Sequence, residues 1–261
     1  MAPNPSELAA VASRLRAAGC VRAEDEAALL LAERWDAGEL EQRVRRREAG
    51  EPLEWILGWA EFGDLRLAID PGVFVPRQRT VELAHAAVAR LAAAAPPRVL
   101  IDVCTGSGAI ACVAARDCPD AVVVAADIDP TAVACAARNG GPYGVEVVRS
   151  DLLDGVPVRL RGRVDVLVAN VPYVPDAELG RLPADAREWE PRQALAGGPD
   201  GLAVLRRLAD QAGPWLRPGG ALLSELSPDQ ADRVADELPA VDVELVDDDE
   251  TAIVTVRLPP A

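Results

Sequence analysis

Polar residues that could bind a small molecule follow three apolar segments of the sequence. After these segments come, in chain order, the glycine-containing loop 104–108, the acidic residue Asp127, and the tetrapeptide 170–173, Asn-Val-Pro-Tyr. In open parallel sheets, ligands bind in the crevice outside the carboxyl ends of the strands. These residues are therefore the first candidates for a binding site and for the chemistry performed there.

The loop has the composition of a ligand-binding turn. Its glycines allow a sharp turn and let the backbone approach a ligand without interference from a Cβ atom. The carboxylate just before the loop would repel a pyrophosphate, whereas it would favour a cationic sulfonium cofactor with an amino-acid tail. A dinucleotide and a tight turn without a ligand are the alternatives. Cofactor contacts are predicted for Asp102, Cys104, Thr105, Gly106, Ser107 and Gly108.

Two acidic residues after the next two strands could hold a nucleoside. Asp127 lies 25 residues after Asp102, one strand–helix–strand unit later. There a carboxylate can accept hydrogen bonds from both hydroxyls of a ribose. Asp151 could accept a hydrogen bond from an adenine amino group while Leu152 packs against the ring, and a solvated turn is the alternative for Asp151. Ile128 is predicted as a further cofactor contact.

The tetrapeptide resembles the motif of amino-methylating S-adenosylmethionine enzymes. Methylation of an amide nitrogen is difficult because its lone pair is delocalised. The side-chain oxygen of Asn170 and the carbonyl oxygen of Val171 would hold the two NH2 protons and aim the lone pair at the methyl group. Pro172 would stiffen the turn and Tyr173 would pack against the substrate. We predict all four as catalytic and substrate-binding residues, with Asn170 also beside the cofactor.

The elements that must position these residues are predicted from hydrophobic periodicity. Residues 6–57 place apolar positions at helical spacing, residues 59–75 alternate as in a β-hairpin, and a helix is expected from about residue 80 to 94. Apolar runs then alternate with Ala-rich helical stretches, as in a parallel sheet covered on both faces. The runs are 98–103, 121–126, 145–148, 164–169 and 220–226. The final runs, 241–246 and 252–257, predict an antiparallel hairpin at one edge with a solvated turn at Asp247–Glu250.

The composition excludes several classes of mechanism. The chain has 261 residues and a net charge of −15, with no lysine and a single histidine, His85. A pyridoxal Schiff base, a P-loop lysine and a multi-histidine zinc site are therefore excluded, and no metal is expected. The five cysteines lack metal or disulfide spacing, which indicates reduced thiols in the cytoplasm. The negative charge argues against direct nucleic-acid binding, and no membrane span is predicted.

Further segments form an ordered set from about residue 45 to the C-terminus. They are Glu51–Gly58, Glu61-Phe62, Val75–Thr80, Glu190-Pro191-Arg192, Ala194-Leu195, Gly197-Gly198 and Asp200-Gly201-Leu202. With the loop, Asp127 and the tetrapeptide, they resemble the release factor (protein N5-glutamine) methyltransferases. The resemblance implies S-adenosylmethionine as cofactor and a glutamine of a peptide chain release factor as methyl acceptor.

The same resemblance implies an α/β fold in three parts. A small helical domain at 1–58 would help to hold the protein substrate, a β-hairpin linker would span 59–75, and a Rossmann-like seven-stranded methyltransferase domain would occupy 76–261. Arg77 and Thr80 could line the acceptor pocket, with an ion-pair role equally open for Arg77.

Two residues depart from the family pattern. Val171 replaces a proline, but the acceptor there is a backbone carbonyl, so the chemistry should survive. Cys104 replaces the first loop glycine and cannot adopt a positive φ without cost. Two alternative functions remain: an N-methyltransferase acting on an exocyclic amine of adenine or guanine in nucleic acid, and a module that binds a nucleoside or dinucleotide without transferring a methyl group.

Overall fold

Most of the chain forms regular helices and strands. The residues that the computed structural model describes are 4–238, 240–246 and 251–257. The turn predicted at 247–250 therefore lies outside the described residues. Within the described residues, no helix combines the length and the apolar character needed to cross a membrane.

The chain divides into two compact units. One comprises the residues up to 59 together with 182–189, and the other comprises 60–181 and the residues from 190 onward. The sequence did not predict that 182–189 would join the helical unit. The division into three parts, at residues 58 and 75, stays a prediction.

The helical unit consists of short helices, and the first four in the chain share one apolar core. Leu15, Leu30 and Val44, each from a different helix, are buried in this core. The third helix begins with a capping box, in which the Asp36 side chain accepts a hydrogen bond from the Glu39 amide at 2.8 Å and the Glu39 side chain accepts one from the Asp36 amide at 3.0 Å. The helices are α1 (Pro5–Ala17), α2 (Ala23–Ala32), α3 (Ala37–Glu48), α4 (Leu53–Leu57) and α8 (Ala184–Trp189).

Arginines of α3 are engaged within this unit. Arg47 Nε donates a hydrogen bond to Glu26 Oε2 at 2.6 Å, and both side chains are mostly buried. The Arg43 guanidinium lies over the Trp35 ring, 3.5 Å from its centre. These contacts hold α3 against residues that come before it in the chain.

The hairpin and the following helix lie where the sequence predicts them. Strands β1 (Trp59–Phe62) and β2 (Leu65–Ala68) form a two-stranded sheet, and helix α5 spans Thr80–Ala93. Phe62 and Leu67 are buried in the same apolar cluster as side chains of α5. The hairpin therefore shares its core with α5.

The large sheet has seven strands in the order β5-β4-β3-β6-β7-β9-β8. The five strands β3, β4, β5, β6 and β7 are parallel to one another, and β9 runs antiparallel to both β7 and β8. This topology confirms the predicted α/β fold and the antiparallel pair at one edge. The strands are β3 (Val99–Val103), β4 (Val122–Asp127), β5 (Glu146–Arg149), β6 (Val164–Ala169), β7 (Leu216–Leu226), β8 (Val241–Val246) and β9 (Thr251–Val256).

Helices cover both faces of this sheet. Leu100 of β3 and Val166 of β6 are buried in one apolar cluster with α5 and the following helix, whereas Ile101 and Leu167 are buried in another on the opposite face. Alternate residues of a strand thus serve different layers, as the pleat requires. The remaining helices are α6 (Ala109–Asp117), α7 (Pro130–Gly140), α9 (Arg192–Leu195), α10 (Ala203–Ala212) and α11 (Pro228–Glu237).

Candidate active site

The register of the sheet brings the candidate residues to one edge. Val103 of β3 pairs with Ala126 of β4 on one side and with Ala169 of β6 on the other. The loop 104–108 and the tetrapeptide 170–173 therefore follow β3 and β6 at the level of Asp127, the last residue of the neighbouring strand β4. Because the chain runs from β3 to β4 on one side and reaches β6 on the other, this edge is the crevice where such sheets bind ligands.

The loop between β3 and α6 adopts the left-handed conformations for which glycine is suited. The φ angles of Cys104 and Gly106 are both +56°, and that of Gly108 is +82°. A Cβ at Gly108 would lie 3.1 Å from Ala136 of α7, so the approach of α7 also requires glycine there. Cys104, which replaces the glycine of the family pattern, thus adopts a positive φ that is costly for a residue with a Cβ atom. The Ser107 carbonyl accepts a hydrogen bond from Asn139 Nδ2 at 2.9 Å.

Asp102 is buried beneath this loop. Its Oδ2 accepts hydrogen bonds from the Thr105 hydroxyl at 2.6 Å and from the Ala111 amide at 3.1 Å. Burial raises the pKa of this carboxyl to about 7. Its Oδ1 is buried and has no partner among the described residues. Asp102 therefore anchors the loop to the start of α6, and a contact with the cofactor stays a prediction.

Asp127 lies on the other side of the loop. Its Oδ2 accepts a hydrogen bond from the Gly106 amide at 2.9 Å and its Oδ1 accepts one from the Asp129 amide at 3.0 Å. Each carboxylate oxygen keeps a further lone pair for a hydroxyl donor. Burial raises the pKa of Asp127. The next residue, Ile128, leaves 49% of its surface exposed and offers an apolar surface to a ligand ring.

The residues after β5 have protein partners of their own. Asp151 Oδ2 forms an ion pair with Arg207 Nη2 at 2.9 Å. Leu152 is buried with a φ of +50°, and its carbonyl accepts a hydrogen bond from the Ser150 hydroxyl at 2.7 Å. The adenine contacts expected from Asp151 and Leu152 stay predictions.

These features fit S-adenosylmethionine, the cofactor that the sequence predicts. A Cβ at Gly106 would face open space, so a ligand can approach the loop backbone. Asp127 has lone pairs for ribose hydroxyls, and Ile128 has an apolar surface for the base. Two carboxyl groups, Asp102 and Asp127, border the loop and suit a positively charged ligand.

The tetrapeptide presents two oxygen atoms that could hold an –NH2 group. Asn170 Nδ2 donates a hydrogen bond to the Thr80 hydroxyl oxygen at 3.2 Å. Within the part of the chain that the structure describes, no protein group donates a hydrogen bond to Asn170 Oδ1 or to the Val171 carbonyl oxygen. Both oxygens can therefore accept hydrogen bonds from a substrate amide.

The ring of Tyr173 is held at its hydroxyl. Arg79 Nη2 donates to this hydroxyl at 2.8 Å, and the hydroxyl donates to Glu225 Oε1 at 3.2 Å. Arg79 Nε also donates to Glu225 Oε1, at 3.1 Å, and the Glu225 side chain is only 1% exposed. Burial raises the pKa of Tyr173, which keeps the phenol neutral. Tyr173 can thus offer its aromatic ring for packing against a substrate, but it is not suited to act as a general base.

The backbone of the tetrapeptide is packed against a glycine-containing loop. A Cβ at Gly197 would lie 2.7 Å from the Pro172 carbonyl oxygen, and one at Gly201 would overlap the Tyr173 carbonyl oxygen. Gln230 Nε2 donates a hydrogen bond to that same Tyr173 oxygen at 2.7 Å. The glycines of the family resemblance thus permit a close approach of two backbone segments.

Arg77 is engaged in an ion pair. Its Nη2 lies 2.7 Å from Glu190 Oε2, and Glu190 also accepts a hydrogen bond from the Val75 amide at 3.2 Å. The ion-pair role left open for Arg77 is thus present, and its contact with substrate stays a prediction. His85 is exposed on α5. Among the described residues, no group of three or more His, Cys, Asp or Glu side chains could hold a metal ion.

Three side chains that shape this site were not predicted: those of Arg79, Glu225 and Gln230. Gln230 had one signal, since it stands three residues after Ser227 in the spacing of a capping box. Arg79 and Glu225 are 146 residues apart, and no local pattern relates them.

Comparison with known proteins identifies the family. The family model described as the Methyltransferase small domain matches residues 64–182. A release factor glutamine methyltransferase of Moorella thermoacetica is 44% identical over 207 residues, which cover 78% of this chain and 72% of that protein. A release factor glutamine methyltransferase of Geobacter sulfurreducens is 40% identical over 193 residues, which cover 73% of this chain and 66% of that protein.

A solved structure supports the fold. The 16S rRNA N2 G1207 methyltransferase of T. thermophilus is 19% identical, with a TM-score of 0.54, and the match covers 76% of this chain and 49% of that one. At this identity the likeness concerns the fold alone. The relatives confirm the resemblance seen in the sequence and the prediction of an enzyme. The chain belongs to the release factor glutamine methyltransferase family.

Proposed function

We propose that this protein transfers a methyl group from S-adenosylmethionine to the side-chain amide nitrogen of a glutamine in a peptide chain release factor. Its membership of the family supports the substrate and the cofactor. The observation that carries the chemistry is the pair of acceptors on Asn170 and Val171, with Asn170 Nδ2 bonded to Thr80. No Lewis acid or strong base is needed for what these two groups do.

The loop and the acidic residues would hold the cofactor. When bound, S-adenosylmethionine supplies an electrophilic methyl group on a positively charged sulfur. The loop 104–108 could admit its polar tail, because a Cβ at Gly106 would face open space. Asp127, whose Oδ2 accepts a hydrogen bond from the Gly106 amide, would accept further hydrogen bonds from the ribose hydroxyls. Ile128 and Leu152 would contact the base, with Asp151 accepting a hydrogen bond from its amino group.

The tetrapeptide would activate the glutamine. Asn170 Oδ1 and the Val171 carbonyl oxygen each accept a hydrogen bond from one N–H of the substrate –NH2, which favours a pyramidal nitrogen with its lone pair toward the methyl group. The nitrogen–carbon bond forms as the sulfur–carbon bond breaks, and the bonding electrons of the latter stay on sulfur. The nitrogen then loses one proton to water. Pro172 stiffens the turn, and the Tyr173 ring packs against the substrate.

Partner and location follow from the same proposal. The helical unit would help to hold the protein substrate, and the enzyme would act in the cytoplasm, where its free cysteines remain reduced. A direct nucleic-acid partner is not part of the proposal, because a net charge of −15 opposes phosphate contacts. The alternative of an adenine or guanine amine as acceptor is disfavoured by the names of the relatives.

Mass spectrometry of a purified release factor tests the proposal. After incubation with this protein and S-adenosylmethionine, the release factor should gain the mass of one CH2 unit, because a methyl group replaces a hydrogen, and peptide mapping should locate it on a glutamine. Asn170→Ala should leave cofactor binding nearly intact by calorimetry and lower turnover on the order of 100-fold, because one preorganised polar partner is lost. No methyl gain with wild type would refute the substrate, and full activity of the variant would refute the role of Asn170.

A further inference from the structure

Two consecutive residues at the start of α5 reach both ends of the tetrapeptide. Thr80 contacts Asn170, which is 90 residues further along the chain, and Arg79 contacts Tyr173, which is 94 residues further along. The family resemblance implied no role for Arg79, and the proposed chemistry uses neither side chain directly. Their shared position suggests a common task at the acceptor end of the site.

Thr80 acts on the orientation of the Asn170 carboxamide. Thr80 is buried, with only 4% of its surface exposed, and its hydroxyl oxygen accepts the hydrogen bond from Asn170 Nδ2. A carboxamide presents an acceptor on one side and a donor on the other, so rotation by 180° would point N–H groups at the substrate –NH2. The bond to Thr80 engages the nitrogen and leaves Oδ1 to face a substrate.

Arg79 acts on the Tyr173 ring together with Glu225. The three side chains form a closed set of hydrogen bonds, in which Glu225 Oε1 accepts from both of the others at 3.1 and 3.2 Å. The hydroxyl of Tyr173 is therefore both donor and acceptor within the protein. Because the buried Glu225 cannot move into water, the ring that bonds to it is fixed in place.

We propose that Thr80 and the Arg79–Glu225 pair are positioning residues, which orient the Asn170 carboxamide and the Tyr173 ring for methyl transfer. The inference rests on the proposed function, because it concerns the same acceptor site. Neither Thr80 nor Arg79 needs to touch the methyl donor. Their loss should therefore slow turnover without weakening the binding of the cofactor.

Substitution of Thr80 tests the first half of this inference. Thr80→Val removes the hydroxyl and keeps the side-chain shape, Thr80→Ser keeps the hydroxyl, and Thr251→Val, in buried β9, is the matched control. With the release factor as substrate, Thr80→Val should lower kcat about tenfold, as expected for one hydrogen bond. KM for the release factor and Kd for S-adenosylmethionine should stay at wild-type values. Thr80→Ser and Thr251→Val should keep the wild-type kcat.

Substitution of the ion pair tests the second half. The double variant Arg79→Gln/Glu225→Gln avoids leaving a buried charge unpaired and should fold, with a lower kcat and an unchanged Kd for S-adenosylmethionine. Unchanged kcat in this double variant would overturn the role of the Arg79–Glu225 pair. Unchanged kcat in Thr80→Val would overturn the role of Thr80. A parallel loss of cofactor affinity and melting temperature, or a Thr80→Ser variant as slow as Thr80→Val, would show a merely structural role and overturn it as well. A wild-type enzyme that fails to methylate the release factor would refute the proposed function itself, which is a distinct outcome.

Discussion

Replacing Asp102 with asparagine tests the electrostatics of the buried loop anchor. Burial raises the pKa of Asp102 from 3.8 to about 7. The folded chain therefore holds this proton more tightly than the unfolded chain. The free energy of unfolding of the wild type falls as the pH rises above 3.8, and above about pH 7 the whole cost of burying the ionised carboxylate is present. The two pKa values differ by about 3, which at about 1.4 kcal/mol for each pH unit corresponds to a cost of about 4 kcal/mol.

Urea unfolding of wild type and Asp102→Asn at a series of pH values measures this cost. Asparagine keeps an oxygen for Thr105 and Ala111 but does not titrate. Between about pH 5.5, above the isoelectric point near 4.5, and about pH 8.5, the difference in free energy of unfolding should shift by about 2 kcal/mol in favour of the variant. Asp232→Asn, at an exposed position, is the control. If the difference in free energy of unfolding between the variant and the wild type did not change with pH, the raised pKa of the buried Asp102 carboxyl would be refuted.

Three further predictions concern the cofactor site, the glycine loop and the helical unit. Asp127→Ala should weaken S-adenosylmethionine binding by about 1–3 kcal/mol, because a charged acceptor is lost; wild-type affinity in calorimetry would contradict the ribose role. Gly201→Ala should lower the melting temperature and turnover more than Gly219→Ala, because both glycines have φ near +80° but only a Cβ at 201 overlaps the tetrapeptide backbone. Equal losses would argue against this close packing. Arg47→Ala should lower the free energy of unfolding by about 3 kcal/mol, because it leaves Glu26 mostly buried without its partner; denaturant unfolding with no change would show that the pair does not stabilise the unit.

The strands could be predicted because strands buried on both faces consist of apolar runs. All five residues of β3 are buried, and the run 98–103 differs from the strand by one residue. The prediction was less good for β7, which begins at Leu216 although its apolar run begins at residue 220. The intervening Arg217-Pro218-Gly219 interrupts the apolar pattern, and here Gly219 has a φ of +83° and the pairing of β7 with β6 shifts register.

The candidate site could be predicted only where its residues lie at the ends of strands or directly follow them. The supporting side chains come from distant parts of the chain, as in the contact between Gln230 and Tyr173, which are 57 residues apart. Hydrophobic periodicity describes neighbours along one element and carries no information on such pairs. For Asp102 the residue type was visible in the sequence, but its hydrogen bonds to Thr105 and Ala111 depend on how the loop folds back over the strand.

The membership of residues 182–189 in the helical unit has a practical consequence for protein engineering. The polypeptide leaves the larger unit after residue 181, contributes α8 to the smaller one, and returns at residue 190. Within the smaller unit, Gly50 is so close to the indole nitrogen of Trp189 that a Cβ there would lie 3.5 Å from it. Removal of the residues up to 59 would leave α8 without the rest of its compact unit. An isolated catalytic fragment therefore also requires a short linker in place of residues 182–189.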